Sequence, residues 1–439
     1  MTFLNVIVIL PILFVVQHSL SVEVARYDNY RVYEVTASTS GHLETLEFLK
    51  SSSDSVIFLE SGSKVGDYFN IVVAPHKLAD FAATLENEGM HARVLEMNLQ
   101  EPIDAERNRM VSKRIKGIFD WTDYRDLTEI HDWLEKLALE YDQVEIINGG
   151  RSYENRTIKG VKVSYKSGNP GIFIEGGIHA REWISPATVT YILNQLLTSE
   201  EKSVRHIAEN YDWYIFPSVN PDGYAYSHKT DRLWRKTRTP YPGGCFGADP
   251  NRNWDYYWAE KGSSHRCTAE SFAGSHPFSE IETKTLSDYI NSLRGKIQTY
   301  ITFHSYSQLL LFPYGHTSQH AENHQDMNEI AKATVTSLAQ RYGTKYRYGN
   351  IYDAIYPASG GSGEWAYGVQ GIKLVFTYEL RPAHGWVGFV LPPEQIIPTG
   401  EETLDSLVTL VDEAAKRGYY KVGVESFKTL EKKCTCPTD

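Results

Sequence analysis

His179 and Glu182 stand three residues apart in the run Gly176-Gly177-Ile178-His179-Ala180-Arg181-Glu182-Trp183-Ile184-Ser185. An imidazole and a carboxylate at that spacing can grip one small cation, and a His/Glu set is what a catalytic zinc ion accepts. Alone, the pattern is short enough to recur by chance. A surface turn with two polar residues is its better reading until a third ligand is found. His304 is the candidate. It follows the apolar, β-branched run 299–303, which reads as a strand, so it falls at the same sheet edge as His179. Two close ligands and one distant one make an open His2Glu site, which leaves a coordination position for water or substrate. Glu379 lies in the run 374–381, where Leu374, Phe376, Tyr378 and Leu380 alternate with Val375, Thr377, Glu379 and Arg381. A carboxylate on so apolar a strand suits a general base that takes a proton from water activated by the cation. Its competing reading is an ordinary strand-end carboxylate paired with Arg381.

These groups need a sheet edge to meet on. Residues 172–174 read as a buried strand, Gly176 and Gly177 break it, and Ser185-Pro186 reads as an N-cap followed by a proline at the first helical position. His179 and Glu182 then sit in the turn between a central strand and a helix, where open α/β sheets place their sites. From Phe119 onward the chain continues in this manner. An amphipathic helix is expected at 127–141, strands at 144–148, 160–165, 171–175 and 213–216, and helices at 187–197, 278–293 and 327–342. The expected class is α/β, a mixed eight-stranded-type sheet flanked by helices on both faces. Asn220-Pro221-Asp222-Gly223 reads as a plain turn. The stretch 232–279 is rich in Gly, Pro and Trp and too long for an idle loop, and a local Cys245–Cys267 disulfide would clamp it.

Upstream, residues 22–110 have their own rhythm. Strands at 30–35, 56–60, 68–73 and 92–99 and helices at 41–50 and 76–88 give β-α-β-β-α-β, the order of a small ferredoxin-like α+β unit. A charged linker helix over 101–114 ends in Ser112-Lys113-Arg114, a cut site for a trypsin-like protease where exposed. Residues 4–16 are almost wholly apolar and Ser19-Leu20-Ser21 offers small residues at the spacing a signal peptidase takes, so 1–21 reads as a signal peptide, its apolar run too short to span a bilayer comfortably. Secretion puts the four cysteines in an oxidising compartment. Cys434 and Cys436, flanking one threonine in the tail, leave their pairing open, and Asn155-Arg156-Thr157 is a glycosylation sequon. A net charge of -11 and a pI of about 5.8 argue against a nucleic-acid partner, and no later stretch is apolar enough for a membrane anchor.

Six motifs occur in one order: His179-x-x-Glu182, Arg232-Leu-Trp-Arg235-Lys, Asn251-Arg252-Asn-Trp254, His304-Ser-Tyr-Ser, Ile355-Tyr356-Pro-Ala-Ser-Gly-Gly and Thr377-Tyr-Glu379-Leu-Arg381. Together they closely resemble the zinc metallocarboxypeptidases of the pancreatic procarboxypeptidase A/B type, over about residues 22–415. Carboxypeptidase A is itself the usual example of a His2Glu zinc set. The resemblance implies one Zn2+ held by His179, Glu182 and His304, with Glu379 as general base. It implies that Arg235 stabilises the oxyanion and that Asn251, Arg252 and Tyr356 hold the substrate's terminal carboxylate. Arg181, Ser305 and Tyr306 match more peripheral subsites, and Ile351 and Gly363 match the pocket for the C-terminal side chain. Cys245 and Cys267 fall where the family has a disulfide, whereas the tail cysteines have no counterpart.

The implied organisation is a signal peptide at 1–21, an inhibitory prosegment at 22–114 that caps the cleft until it is cut at Arg114, a catalytic domain at 115–416 and a tail at 417–439. The implied protein is a secreted, monomeric exopeptidase made as a zymogen, acting on the C-termini of peptides and proteins. Relatives that prefer basic C-termini carry aspartate where Gly363 stands, and those that prefer apolar ones carry an aliphatic residue. Glu364 matches a position outside the pocket in both. A neutral, roomy pocket is expected to take aromatic or large aliphatic residues (A-type), with a preference for Lys or Arg (B-type) as the alternative. Readings from other classes are a non-catalytic peptide-binding module, which the intact ligand set and Glu379 oppose, and a zinc deacylase acting on small N-acyl amino acids, which the prosegment and carboxylate group oppose.

Overall fold

The computed structural model describes residues 24–53, 55–60, 62–113, 118–383 and 388–420. The signal segment 1–21, the cleavage residue Arg114 and the tail cysteines Cys434 and Cys436 lie outside the described residues. The N-terminal unit runs β1 (Arg31–Thr36), α1 (Ser40–Ser52), β2 (Val56–Glu60), β3 (Tyr68–Val73), α2 (Leu78–Glu88) and β4 (Ala92–Glu96). Its four strands pair antiparallel in the order β2-β3-β1-β4, the expected ferredoxin-like arrangement. Alternation explains why it closes. Tyr33 and Val35 of β1, with Phe69, Ile71 and Val73 of β3, pack inward onto Leu46 and Phe81 of the two helices. The charged helix α3 (Gln100–Lys113) follows.

The larger unit comprises α4 (Leu127–Glu140), β5 (Val144–Arg151), β6 (Thr157–Val163), β7 (Gly171–Gly176), α5 (Ile184–Thr198), α6 (Lys202–Asn210), β8 (Asp212–Phe216), α7 (Pro221–Lys229) and α8 (Ile281–Ser292). It continues through β9 (Ile297–Ser305), β10 (Leu309–Phe312), α9 (His324–Tyr342), β11 (Arg347–Asn350), α10 (Ile351–Ala354), α11 (Ser362–Gly368), β12 (Leu374–Leu380) and α12 (Ile396–Lys416). The sheet has eight strands in the order β11-β10-β12-β9-β7-β8-β6-β5. Its centre, β12-β9-β7-β8, is parallel, while β10 against β12 and β6 against both β8 and β5 are antiparallel, so the sheet is mixed. Every residue of β7 is buried, as a central strand covered on both faces requires.

Two local readings are corrected. Ser185 is not an N-cap: α5 begins at Ile184, and the buried Ser185 hydroxyl accepts from Gly177 N at 2.9 Å and donates to Phe303 O at 2.5 Å. Pro186 still falls within the first helical turn, where a missing N–H costs nothing. Asn220-Pro221-Asp222-Gly223 is no plain turn but the start of α7, with Asn220 capping Gly223 N and Pro221 opening the helix. The expected Cys245–Cys267 disulfide is present across the long loop. Packing also runs past residue 416. Tyr420 bonds Thr299 Oγ1 at 2.8 Å and sets its ring edge-on to Tyr211.

Candidate active site

The C-terminal ends of β7, β9 and β12 lie side by side, and everything expected of the site hangs from them. Gly177, at φ +63°, turns the chain out of β7 so tightly that a Cβ there would meet Pro217 O and Ser218 Cα at 3.1 Å. The turn is held from both sides, by Ala180 N donating to Arg235 O at 3.0 Å and Asn220 Nδ2 donating to Ile178 O at 3.0 Å. This fixes His179 and Glu182 beside His304 of β9, whose Cα partner across the parallel pair is Glu379 of β12.

His179, Glu182 and His304 form the group of metal-capable side chains among the described residues, with one ligand atom from each within 4.8 Å of the others, and all three are buried. His179 Nδ1 is 2.7 Å from Glu182 Oε1, His304 Nδ1 is 3.2 Å from Glu182 Oε2, and the two Nδ1 atoms are 3.1 Å apart. Tetrahedral zinc ligands at roughly 2.0–2.1 Å from the ion stand about 3.3 Å from one another, so this donor set fits the ion. Facing imidazole lone pairs need a cation or a proton between them. The outer ring nitrogen of His179 meets Asp249 Oδ1 at 3.0 Å, the carboxylate support that fixes the tautomer of a metal-ligating histidine.

Asp249 is the residue that sequence reasoning missed. Its other oxygen accepts from Arg235 Nε at 3.2 Å and Nη2 at 2.9 Å. Burial alone would raise its pKa, but Arg235 and then His179 outweigh burial and hold the carboxylate well below its usual range. Asp249 thereby ties the ligand His179 to Arg235, whose Nη1 lies 3.8 Å from Glu182 Oε1. Its sequence signal was only its place two residues before Asn251.

The remaining expected residues converge on one cavity of about 650 Å³, which the metal-capable trio also lines. Glu379, Arg235, Asn251, Arg252 and Tyr356 all border it. Arg252 is held in plane by Gly262 O at 3.0 Å and Asn251 O at 2.8 Å, and its Nη2 points to the Tyr356 hydroxyl at 3.3 Å. Arg381 does not pair with Glu379: its guanidinium is taken by Glu402, with Gln395 Oε1 at 2.7 Å. Ile351 and Gly363 line the same cavity. Glu364 also borders it, yet one of its oxygens already accepts from Gly315 N at 2.7 Å, His316 N at 3.2 Å and His316 Nδ1 at 2.9 Å. Arg181, Ser305 and Tyr306 line another part of the cavity wall. Arg181 is anchored to Glu270 at 2.7 Å and lies over the Phe389 ring, and Ser305 N donates to Glu182 Oε2 at 3.2 Å.

The N-terminal unit closes this cavity from above. Leu59 and Ser63 line it, and Ser63 Oγ donates to the carbonyl of Ile355, next to Tyr356. Asn70 Nδ2 donates to the Tyr306 hydroxyl at 2.9 Å in a buried contact. Val32, Leu59, Val72, Leu99 and Ile103 share an apolar cluster with Leu233, Tyr306, Phe389 and Val390 of the larger unit. Glu106 of α3 grips Arg232 by Nε at 2.5 Å and Nη2 at 3.2 Å, with both side chains buried, and the guanidinium lies 3.6 Å from the Trp183 ring.

Comparison with known proteins agrees with this geometry. The family described as zinc carboxypeptidase matches residues 130–406, and the carboxypeptidase activation peptide matches residues 33–106. The chain is 61% identical over 400 residues to zinc carboxypeptidase A 1 of Anopheles gambiae, covering 91% of this chain and 92% of that one. It is 47% identical over 293 residues to carboxypeptidase B of Astacus astacus, covering 66% of this chain and 96% of that one. The crystal structure of carboxypeptidase A from Helicoverpa armigera shares the fold with a TM-score of 0.82 at 25% identity, over 89% of this chain and 99% of that one. One match spans the buried donor set and the other the unit that roofs it; the chain belongs to the zinc carboxypeptidase family, as a precursor that carries its own activation peptide.

Proposed function

We propose that residues 22–114 are the inhibitory prosegment and 115–416 the catalytic domain of a secreted exopeptidase that removes C-terminal residues one at a time. Zinc, held by His179, Glu182 and His304, supplies Lewis acidity toward the scissile carbonyl and the attacking water. The rest is done by the chain's own groups. Arg252, with Asn251 and Tyr356, receives the terminal carboxylate, since a guanidinium fixed in plane can fork hydrogen bonds onto it. Glu379 takes the proton from the attacking water and returns it to the leaving amine. Arg235, backed by Asp249, faces the charge that develops on the carbonyl oxygen. Arg181, Ser305 and Tyr306 take the upstream part of the peptide.

Activation is by a trypsin-like protease cutting at Arg114, just beyond α3, and the released domain acts as a monomer. Secretion rests on the apolar leader, and among the described residues no helix is long and apolar enough to cross a membrane. The A-type preference is supported by Gly363, which offers no carboxylate, and by the engagement of Glu364 with His316 and two backbone N–H groups. The observation that carries the whole reading is that the metal-capable trio, Glu379 and Arg252 border one cavity. Glu379→Gln tests it. The variant should process, retain zinc and lose about 100-fold or more in kcat, the range for a positioned general base. A pure, processed variant within a few-fold of the parent would remove the assignment.

A further inference from the structure

The hairpin between β5 and β6 turns over Ser152–Arg156, on the edge of the large sheet opposite β11, and none of residues 151–157 borders the catalytic cavity. Asn155 N donates to Ser152 O at 2.9 Å, Ser152 N donates to Arg156 O at 2.8 Å, and Asn155 takes φ +64°. A short turn closed by one residue in the left-handed region is a common hairpin loop. Asparagine and aspartate are among the few side chains that tolerate that backbone, so the turn alone accounts for an Asn, Asp or Gly at 155. It makes no demand for a threonine two residues later. Thr157 completes Asn155-Arg156-Thr157, the acceptor sequence for an N-linked glycan.

The folded chain leaves room for that glycan. Asn155 is exposed, and among the described residues its Nδ2 donates to nothing, while its Oδ1 accepts from Arg151 Nη1 at 3.3 Å. The turn is held from beneath by bonds that do not involve that nitrogen. Asp222 of α7 accepts from Ser152 Oγ at 2.6 Å, Glu154 N at 2.6 Å and Arg156 Nη1 at 2.7 Å, and Tyr153 N donates to Glu282 Oε1 of α8 at 3.1 Å. A sugar on Nδ2 therefore breaks no bond of the fold. The turn also has a hazard to cover. The exposed Arg151 ends the edge strand β5, and Arg156 follows Asn155 directly. Both are residues after which a trypsin-like protease cuts, and exposed turns are where folded chains are nicked. The useful cut lies at Arg114, whereas a nick at 151 or 156 would sever β5 from β6 in the catalytic domain. A bulky, hydrophilic glycan between the two arginines stands in the way of such a protease.

We propose that Asn155 carries an N-linked oligosaccharide that shields Arg151 and Arg156 from the protease that activates the precursor. The inference rests on the secretion reading above, since the transfer takes place in the lumen of the secretory pathway. The donor is an oligosaccharide joined through its anomeric carbon to a lipid diphosphate. Asn155 Nδ2 forms a bond to that carbon and gives up one proton, while the carbon–oxygen bond to the diphosphate breaks and the lipid diphosphate leaves with its electron pair. The precursor and its Asn155→Asp, Thr157→Ala and Thr157→Ser variants, secreted from eukaryotic cells, are weighed intact. The parent and Thr157→Ser should exceed the polypeptide mass by a whole glycan, and Asn155→Asp and Thr157→Ala should not. An amidase that releases N-glycans should bring the parent back to the polypeptide mass with aspartate at 155. Thr157→Ala leaves the turn's own asparagine in place, so it decides should Asn155→Asp not fold. On treatment with trypsin, the two glycan-free precursors should accumulate chains split after Arg151 or Arg156 as well as after Arg114, and the glycosylated parent should lack those extra fragments. A secreted parent of bare polypeptide mass overturns the proposal and leaves Asn155 a turn residue only. Equal nicking of glycosylated and bare precursors overturns the shield and leaves the glycan. A parent that never enters the secretory pathway removes the secretion reading, and this inference with it.

Discussion

At the residue scale, charge decides more than shape. Gly363 borders the cavity and, in the proposed role at the pocket floor, supplies no carboxylate, so bringing an unpaired guanidinium or ammonium there carries an effective penalty of several kcal/mol. An apolar side chain gains roughly 1.5–3 kcal/mol on full burial instead. Peptides ending in Phe, Tyr or Leu should therefore exceed matched Arg peptides at least ~10-fold in kcat/KM. Gly363→Asp should narrow or invert that ratio, although the new side chain must displace Val375 Cγ1 slightly to fit. Equal or faster cleavage of the Arg peptide by the parent enzyme would show that an acid such as Glu364 reaches the pocket after all. Asp249 invites a second test. Asp249→Ala frees both His179 and Arg235, so zinc affinity should fall by about 10–100-fold, the usual loss for a supporting carboxylate, and kcat should fall with it. Unchanged zinc retention under competitive chelation would deny the role. Sequence made the ligand trio and Glu379 legible because each ends or follows an apolar run that had to be a strand. Asp249 had no such frame: a carboxylate in a long loop acquires its meaning only when the fold brings it to His179.

At the scale of elements, alternation predicted what long, regular runs can predict. β2, β3, β7 and β12 fall where the pattern put them, whereas α6, α11, α12, the short edge strand β11 and its short neighbour β10 were not anticipated. β10 is four consecutive buried apolar residues, which show no period, and α11 is a seven-residue helix whose faces are nearly all covered. Ser185 shows the limit from the other side. Its type and its proline neighbour fit an N-cap, but its hydroxyl instead ties the turn after β7 to the end of β9, the two segments that carry His179 and His304. Ser185→Ala would leave a buried N–H and a buried carbonyl without that partner, so the processed enzyme should lose about 1–3 kcal/mol of unfolding free energy. Denaturant melts of the apo form measure this independently of zinc. A loss below about 0.5 kcal/mol would mean that other groups or water take over both bonds.

Across the whole molecule, the activation peptide is held by an apolar seam and, among the described residues, by the buried ion pair of Glu106 with Arg232. The pair is placed where it can matter. Glu106 rides on α3, next to the proposed cut at Arg114, while Arg232 stacks on Trp183 and also donates to Phe389 O at 2.7 Å within the cavity's wall. Removing one partner of a buried pair leaves the other charged and uncompensated, at a cost of about 3–5 kcal/mol where it cannot reach water. In the precursor that strain can be relieved by the peptide lifting off. Glu106→Gln should thus give a full-length chain with measurable activity on a small substrate before any cleavage, and with faster conversion by trypsin than the parent. Because Glu106 departs with the activation peptide, both precursors must yield the same mature enzyme, and their final kcat and KM have to coincide. Matching end-point kinetics with unequal precursor activity would locate the effect in the latch. A silent Glu106→Gln precursor converted at the parental rate would mean instead that the seam around Tyr306 and Phe389, with the hydrogen bonds from Asn70 and Ser63, holds the roof without the ion pair.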